Sequence, residues 1–261
     1  MTLNPPFVLL RIELILALVC LLCGCDSSPE SSLQERAEKG DRTAQFDMGV
    51  RCYEGLGSPK YAKVAARWFL LSAEQGHHIA QFNLGEMYAK GDGVIASMTE
   101  AVRLLRLSAD QGYAPAQFNL GVMYANGAGV SRDHQQAASW VRKAAEQGNA
   151  HAQANLGLLY DKGLGVSKDS SEAVRWYRKS AYQGYPWGQA KLGLMYAYGW
   201  GVPKDTVEAY AWLNLAASRE DKLAREFLAD VEGQLTPSLV HLAQQRTKDL
   251  QREIDATNAA K

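Results

Sequence analysis

Histidine, cysteine and serine carry out much of the chemistry of proteins, but in this chain of 261 residues their spacing matches no catalytic pattern. No serine is followed three residues later by lysine or lies in a Gly-x-Ser-x-Gly turn, and His-Glu-x-x-His does not occur. No glycine is followed by lysine, as a phosphate-binding loop requires. We therefore expect no catalytic residues and no small-molecule substrate.

The five histidines are spread along the chain at His77, His78, His134, His151 and His241. Two adjacent histidines point to different faces of a helix or loop, so His77 and His78 do not converge on one metal ion. We interpret all five as solvated or helix-edge residues, and we expect no metal and no cofactor.

The overall composition is that of a folded globular protein, with 47% hydrophobic and 21% charged residues. Lysine plus arginine equals aspartate plus glutamate, 28 against 28, so the chain has no excess of positive charge. Nucleic acids attract strongly basic surfaces. We expect no nucleic-acid partner.

The N-terminal segment is typical of an export signal. Arg11 precedes an apolar run over 14–22, which is shorter than the roughly 20 residues that span a membrane. Leu22-Cys23-Gly24-Cys25 resembles the bacterial lipobox, whose last cysteine is acylated. The resemblance implies a signal peptide over 1–24, a lipid on Cys25 and a flexible tether over 25–32.

These features predict a location in the bacterial cell envelope, anchored by lipid and facing the periplasm. Asp26 directly after Cys25 resembles an inner-membrane retention signal. The alternative is a secreted or periplasmic protein without an anchor, in which the thiol of Cys25 stays free.

One six-residue pattern recurs five times at a spacing of 36 residues, beginning at residues 44, 80, 116, 152 and 188. It consists of a small residue, glutamine, two variable residues, leucine or methionine, and glycine. A fixed period of this length is typical of stacked helix pairs, because one pair cannot bury its apolar face alone. Glycine costs about 1 kcal/mol relative to alanine inside a helix, so its recurrence predicts close helix approach.

The ends of the helices are also marked. Two glycines spaced two apart follow the first helix of the repeat and predict a turn. In four repeats a capping box is predicted to open the second helix, the cap side chain and the residue three positions on each satisfying the other's backbone N–H. The pairs are Ser97 with Glu100, Asp133 with Gln136, Asp169 with Glu172, and Asp205 with Glu208.

Together these residues resemble the Sel1-like repeat family, which is related to tetratricopeptide repeats. The resemblance covers residues 33–218 and implies an all-α fold, a right-handed α-solenoid of about five helix-turn-helix repeats with a concave surface for protein partners. Leu33 to Gly40 and the segment 219–261, with a helix from Thr236 and Pro237, are predicted to cap it. Some cysteine-rich members are called β-lactamases, but this chain lacks their cysteine pairs, and Cys52 is predicted to be a small buried residue.

At 100° per residue, the repeated alanine, leucine and tyrosine of the first helix share one face, which is predicted to form the core. The opposite face carries a row of asparagines, continued by Lys191, whose donors and acceptors suit a bound peptide backbone. The predicted partner-binding residues there are Phe82, Asn83, Glu86, Phe118, Asn119, Val122, Asn155 and Leu158, with Tyr198 and Trp200 at the fifth turn.

Three alternatives stay open for these residues. The phenylalanines are also compatible with core packing, and the asparagines with a merely solvated face. Trp187 and Trp200 lie outside the repeated tryptophan position and are candidate contacts, but Leu56 and Leu164 at the turn equivalent to that of Trp200 make a packing role there an equal alternative.

We therefore expect an adaptor or regulatory scaffold that binds a protein through this face and the membrane through its N-terminal lipid. One alternative is a periplasmic inhibitor or immunity protein against a secreted lipase or cell-wall enzyme. Another is a hydrolase acting on peptidoglycan or β-lactams.

Overall fold

The computed structural model describes residues 29–55 and 59–259, in which thirteen α-helices and no strand are formed. Cys25, the predicted signal peptide over 1–24 and residues 26–28 of the predicted tether lie outside them. The helices are α1 (Pro29–Glu38), α2 (Arg42–Gly55), α3 (Pro59–Glu74), α4 (His78–Lys90), α5 (Met98–Asp110), α6 (Ala114–Asn126), α7 (His134–Glu146), α8 (Ala150–Lys162), α9 (Ser170–Tyr182), α10 (Pro186–Tyr198), α11 (Thr206–Ser218), α12 (Lys222–Glu232) and α13 (Pro237–Ala259).

The described residues divide into two compact units, one up to Ala96 and one from Ser97 onward. In the first unit, which contains α1 to α4, each pair of consecutive helices packs together. In the second unit the same holds from α5 to α12, and α13 packs on α11 and α9. Helices α2, α4, α6, α8 and α10 are the first helices of the five repeats, and α3, α5, α7, α9 and α11 are the second. The predicted all-α array of about five helix pairs is confirmed.

Glycine inside the first helices allows the backbone of a neighbouring helix to come close. A Cβ atom added at Gly121 would lie 2.6 Å from Cγ2 of Val141 and 3.1 Å from the carbonyl oxygen of Ala137 on α7. At Gly157 it would lie 2.7 Å from the ring of Tyr177. These distances confirm the close approach that the recurrent glycine predicts.

The turn after each first helix uses its two glycines differently. Gly127 ends α6 in the left-handed conformation, with φ of 71°. Gly129 has the same φ, but an added Cβ would also lie 2.3 Å from the carbonyl oxygen of Met98 on α5. The second glycine therefore lets the turn pack against the start of the second helix of the preceding repeat.

Only half of each predicted capping box is formed in α7, α9 and α11. The side chain of Asp133 accepts hydrogen bonds from the backbone N–H groups of Gln135 and Gln136, as predicted. Its own N–H donates to the carbonyl of Tyr124 at 2.9 Å, so the predicted donation from this N–H to the side chain of Gln136 is wrong. The tight glycine turn brings the cap back to the preceding helix. The same bonds join Asp169 to Tyr160 and Asp205 to Tyr196.

A tyrosine hydroxyl joins each of the first helices α8 and α10 to the second helix of the preceding repeat. Arg142 on α7 donates to the hydroxyl of Tyr160 on α8 at 2.9 Å, and its guanidinium lies 5.6 Å from the ring centroid. Arg178 and Tyr196 form the same bond at 2.9 Å. The tyrosine thus contacts the second helix before it through its side chain and the second helix after it through its carbonyl.

The repeated glutamine forms a buried hydrogen-bond relay. Gln153 is 5% exposed; its Nε2 donates to the carbonyl of Ala145 at 3.1 Å, and its Oε1 accepts from Gln183 at 2.7 Å. The same two bonds recur with Gln117 between Ala109 and Gln147, and with Gln45 between Ala37 and Gln75. Each glutamine therefore joins the last turn of the preceding second helix to the second helix of its own repeat.

The relay stops at Gln189. Its Nε2 still donates to the carbonyl of Ala181 at 3.2 Å, but its buried Oε1 has no partner among the described residues. Arg219 occupies the position of the second glutamine and donates to the carbonyl of Gly184 instead. Glu220, with φ of 67°, stands where the earlier repeats have a left-handed glycine. The turn after α11 therefore keeps the conformation of the earlier turns, although the residue pattern breaks there.

Both ends of the described chain extend the repeat geometry. Helix α1 begins at Pro29, so residues 29–32, predicted as tether, are its first turn. Helix α12 lies 36 residues after α10 and takes the place of a sixth first helix, with Ala224 buried, which the sequence pattern did not single out. The predicted helix from Pro237 is confirmed, and the hydroxyl of Thr236 accepts from the N–H of Leu239 at 3.4 Å.

The last helix covers the core of the final repeats. Leu250 and Ile254 of α13 are buried in one cluster with Trp212 of α11. Arg246 of α13 pairs with Glu208 of α11 at 2.5 Å and with Glu253 at 2.8 Å. Apolar burial and this ion-pair network together hold α13 on the array.

The relay predicts unequal costs for one substitution at two equivalent positions. Gln153→Leu removes two buried hydrogen bonds and should lower the free energy of unfolding by about 1–3 kcal/mol. Gln189→Leu removes one hydrogen bond and also a buried oxygen without a partner. It should therefore lower the free energy of unfolding by clearly less than Gln153→Leu. Urea denaturation followed by circular dichroism compares the two variants, and equal losses would show that the bond from Gln183 to Gln153 does not stabilise the array.

Candidate functional site

The first unit contains a cavity of about 270 Å³ on the predicted partner-binding face. Helix α4 contributes Phe82, Asn83, Glu86 and Lys90, and α2 contributes Tyr53 and Glu54. Phe69 and Met87, which are buried, form its floor. The structure therefore brings three predicted residues, Phe82, Asn83 and Glu86, to one concave site, and adds Tyr53 and Glu54, which the sequence pattern missed.

Charged and polar groups surround this cavity. Lys90 pairs with Glu86 one helical turn away at 2.9 Å. The hydroxyl of Tyr53 donates to the carboxylate of Asp92, and this bond, together with partial burial, raises the pKa of Tyr53. The phenol therefore remains a neutral donor at physiological pH. The cavity combines aromatic walls with carboxylates at its edge.

In the second unit, the predicted residues of α6 and α8 are half-buried. They are Phe118, Asn119 and Val122 on α6, and Asn155 and Leu158 on α8. The side-chain amide of Asn155 donates to the carbonyl of His151 at 3.0 Å, within its own helix. On α10 the same two positions carry half-buried Lys191 and buried Leu194. This face offers both apolar contact and hydrogen-bonding groups.

A line of aromatic contacts runs beside this face, and the sequence pattern did not predict it as a line. The ring of Phe118 lies 6.2 Å from that of His151, which lies 4.2 Å from Tyr185. Tyr185 in turn lies 6.5 Å from Trp187 on α10. The repeat period does not mark this line, because none of the three positions that it uses is aromatic in all five repeats.

Lys191 is the most unusual group on the face. Its ammonium lies 5.6 Å from the ring centroid of Trp187, and no carboxylate of the described residues is within 4 Å of it. Burial lowers the pKa of Lys191, an effect that Asp161 and Asp221 partly oppose. A half-buried ammonium without an ion pair is destabilising for the fold.

The two remaining predicted residues lie at the turn after α10. Tyr198 and Trp200 are 51% and 49% exposed, and their rings stack at 4.6 Å with an interplanar angle of 21°. Leu164, at the position equivalent to Trp200, instead packs against a core cluster of α7 and α8. The aromatic pair thus presents apolar surface to solvent at this turn.

The phenylalanines fall between the two interpretations left open by the sequence. Phe82 and Phe118 are half-buried, whereas Ala154 and Ala190 at the equivalent positions are fully buried. Each ring contributes to packing and keeps one part accessible. Cys52, predicted to be buried, is 7% exposed.

A metal site and a membrane span each require their own arrangement of residues. Within 29–55 and 59–259, no group of three or more histidine, cysteine, aspartate or glutamate side chains is placed to hold a metal ion. None of the helices in those ranges is both long and apolar enough to cross a membrane. His77 caps α4 by accepting from the N–H of Ala80 at 3.2 Å.

The model of a protein family described as Sel1 repeat matches five segments of the chain, which together make up more than half of it. The segments are 43–77, 78–113, 114–149, 150–185 and 188–221. None of the curated proteins compared with the chain matches it.

Solved structures include similar chains. One is a protective antigen present in uropathogenic Escherichia coli strains that displays an SLR fold, with 34% identity and a TM-score of 0.73, covering 83% of this chain and 48% of the antigen. This chain thus spans about half the length of that antigen. Another is a Sel1 repeat protein from Oxalobacter formigenes, with 35% identity and a TM-score of 0.71, covering 80% of this chain and 86% of that protein.

An immunity protein from Pseudomonas aeruginosa shares 22% identity at a TM-score of 0.48, over 82% of this chain and 80% of its own.

The environment of Lys191 predicts a variant that is more stable than the wild type. A lowered pKa means that the unfolded chain binds more protons than the folded chain between the two pKa values, so stability rises with pH across that window. Lys191→Met should therefore raise the free energy of unfolding at pH 7, by less than about 1 kcal/mol because the ammonium is still partly exposed. The gain should shrink as the pH approaches the ordinary lysine pKa of about 10.4.

Urea denaturation at pH 7 and at alkaline pH measures this effect. Lys143→Met is the matched control, since Lys143 also lies over a tryptophan, Trp140 at 4.0 Å, but is exposed. Lys143→Met should give no gain. If Lys191→Met is destabilising at pH 7, the ammonium is stabilised by contacts that outweigh its burial.

Proposed function

Because this chain belongs to the Sel1 repeat family, whose repeats form scaffolds suited to binding other proteins, we propose that it is a non-catalytic scaffold of the bacterial envelope that holds a protein partner. The partner contacts the face of the first helices opposite the repeated tyrosines. The observation that supports this most strongly is the mixed chemistry of that face: half-buried asparagines beside aromatic and aliphatic side chains in both units.

The physical reason is that such a face suits an extended or helical protein segment. Amide groups such as that of Asn155 satisfy backbone donors and acceptors of the partner, while Phe118, Val122 and Leu158 bury apolar surface. The exposed stacked rings of Tyr198 and Trp200 add a contact of the kind enriched at binding hot spots. Affinity then comes from a few anchor residues rather than from area alone.

The envelope location is a proposal based on the sequence of residues 1–32. Leu22-Cys23-Gly24-Cys25 follows the apolar run and precedes a polar segment, the order of a lipoprotein signal. An acyl anchor on Cys25 would hold the repeats at the membrane and leave their binding face in the periplasm, where they would serve as adaptor or regulator. More than one acyl chain is needed for stable anchoring.

Site-specific photo-crosslinking in cells tests the binding face. A photoreactive phenylalanine analogue replaces Asn126 or Lys162, two exposed residues that continue the face of α6 and α8. The control positions are Ser139 and Arg175, exposed residues of the second helices α7 and α9. We expect one discrete protein adduct from the face positions and none from the controls. Adducts from the control positions alone would place binding elsewhere, and no adduct from any position would contradict the scaffold function.

Lipid attachment is tested with Cys25→Ser and with Cys52→Ser as the matched control. The wild type and Cys52→Ser should sediment with membranes and carry the mass of the acyl chains, measured by mass spectrometry of the N-terminal peptide. Cys25→Ser should lack the acyl mass and leave the membrane fraction. Equal membrane association of Cys25→Ser would contradict the proposed anchor.

A further inference from the structure

The cavity of the first unit has the scale of one side chain. Its volume of about 270 Å³ lies below the roughly 300–1,000 Å³ of sites that enclose whole small molecules. It opens on the face proposed to hold a protein partner. A single protruding side chain of that partner is therefore a better match than a free ligand.

The walls of the cavity favour a cation with a flat shape. The aromatic side chains of Tyr53 and Phe82 line it, above the buried ring of Phe69. The negative face of an aromatic ring attracts cations, and a planar guanidinium also stacks on it. An aliphatic side chain would contact the rings but would not interact with the carboxylates around the cavity.

The charges around the cavity are negative in sum. Glu54 and Glu86 line it, and Asp92, bound to the hydroxyl of Tyr53, lies beside it, against the single ammonium of Lys90. Lys90 is already paired with Glu86 at 2.9 Å. Glu54 is exposed and forms no ion pair with any residue that the structure describes. The site therefore has carboxylate charge in excess.

We propose that this cavity receives an arginine side chain of the protein partner, an inference that rests on the proposed scaffold function. Arginine fits better than lysine because its guanidinium is planar, weakly hydrated and able to donate two parallel hydrogen bonds to one carboxylate. The rings of Tyr53 and Phe82 contact the guanidinium, and Glu54 accepts from it. Buried arginine is also among the residues that dominate binding energy in protein interfaces.

Titration with short peptides, followed by NMR, tests the proposal without knowledge of the partner. The probes are acetyl-Gly-Arg-Gly-amide and the same peptide with citrulline, which has nearly the shape of arginine but no charge. The methyl resonance of Met87, on the floor of the cavity, reports occupancy. The proteins are the wild type, Glu54→Gln, and Glu74→Gln as a control for an exposed glutamate of the same unit outside the cavity.

We expect the arginine peptide to shift the Met87 resonance of the wild type and of Glu74→Gln with equal affinity. The citrulline peptide should bind about tenfold more weakly, since it lacks the cation. Glu54→Gln should weaken the arginine peptide up to about fivefold, the size of one partly exposed charge pair. Equal binding of both peptides, equal affinity of Glu54→Gln and Glu74→Gln, or no shift with millimolar peptide would overturn the proposal.

Different results would exclude the scaffold function and the arginine site. The crosslinking positions Asn126 and Lys162 lie in the second unit and do not touch the cavity. Adducts from those positions without binding of the arginine peptide would leave the scaffold function standing and remove only the arginine site. Binding of the arginine peptide without any adduct would leave the cavity as an arginine site and contradict the scaffold function.

Discussion

The array depends on the buried glutamines whose side-chain amides join neighbouring helices. Burying a glutamine side chain without hydrogen-bond partners is destabilising. Gln117 and Gln153 therefore tolerate only a narrow placement of the neighbours that they bind. The carbonyl that each reaches belongs to the last turn of a second helix and also accepts from the N–H of the glycine three residues on. One glutamine side chain therefore links the end of a second helix to the start of the next repeat. Close packing at the repeated glycines and the hydrogen bonds of the tyrosines add further contacts between neighbouring helices.

Much of this could be predicted from the sequence, because each packing residue recurs at the same position five times. The helix pairs, the glycine turns and the cap side chains follow from that period. The reciprocal half of the capping boxes was wrong because a local pattern does not show that the carbonyl of Tyr124 comes within reach of Asp133. The role of the glutamine was missed for a related reason: a polar residue in a helix gives no sign of burial until its neighbours are placed. The place of α12 as a sixth first helix was missed because Ala229 replaces the glycine and Arg225 the glutamine of the pattern.

The candidate site was less predictable than the fold. Helical periodicity correctly brought Phe82, Asn83 and Glu86 to one face of α4, but the cavity beside them also needs Tyr53 and Glu54 from another repeat. No repeated residue type marks those two positions, since the other repeats have alanine or aspartate in place of Tyr53, and lysine, asparagine or tyrosine in place of Glu54. Lys191 and the aromatic line likewise occupy positions where the repeats differ from one another. Packing residues repeat because every junction is alike, whereas residues that distinguish one partner from another must differ between repeats.

The constant offset of the relay also bears on how such an array changes over evolutionary time. Gln153 bonds to the alanine eight residues before it, and Gln117 does the same with Ala109. If recombination removed residues 114–149, Gln153 would follow Ala109 at that same distance, and the new junction would have the contacts of the old one. Copy number can therefore rise or fall by whole units of 36 residues without a defect at the joint. An insertion of any other length would misalign the bonds on both sides of it.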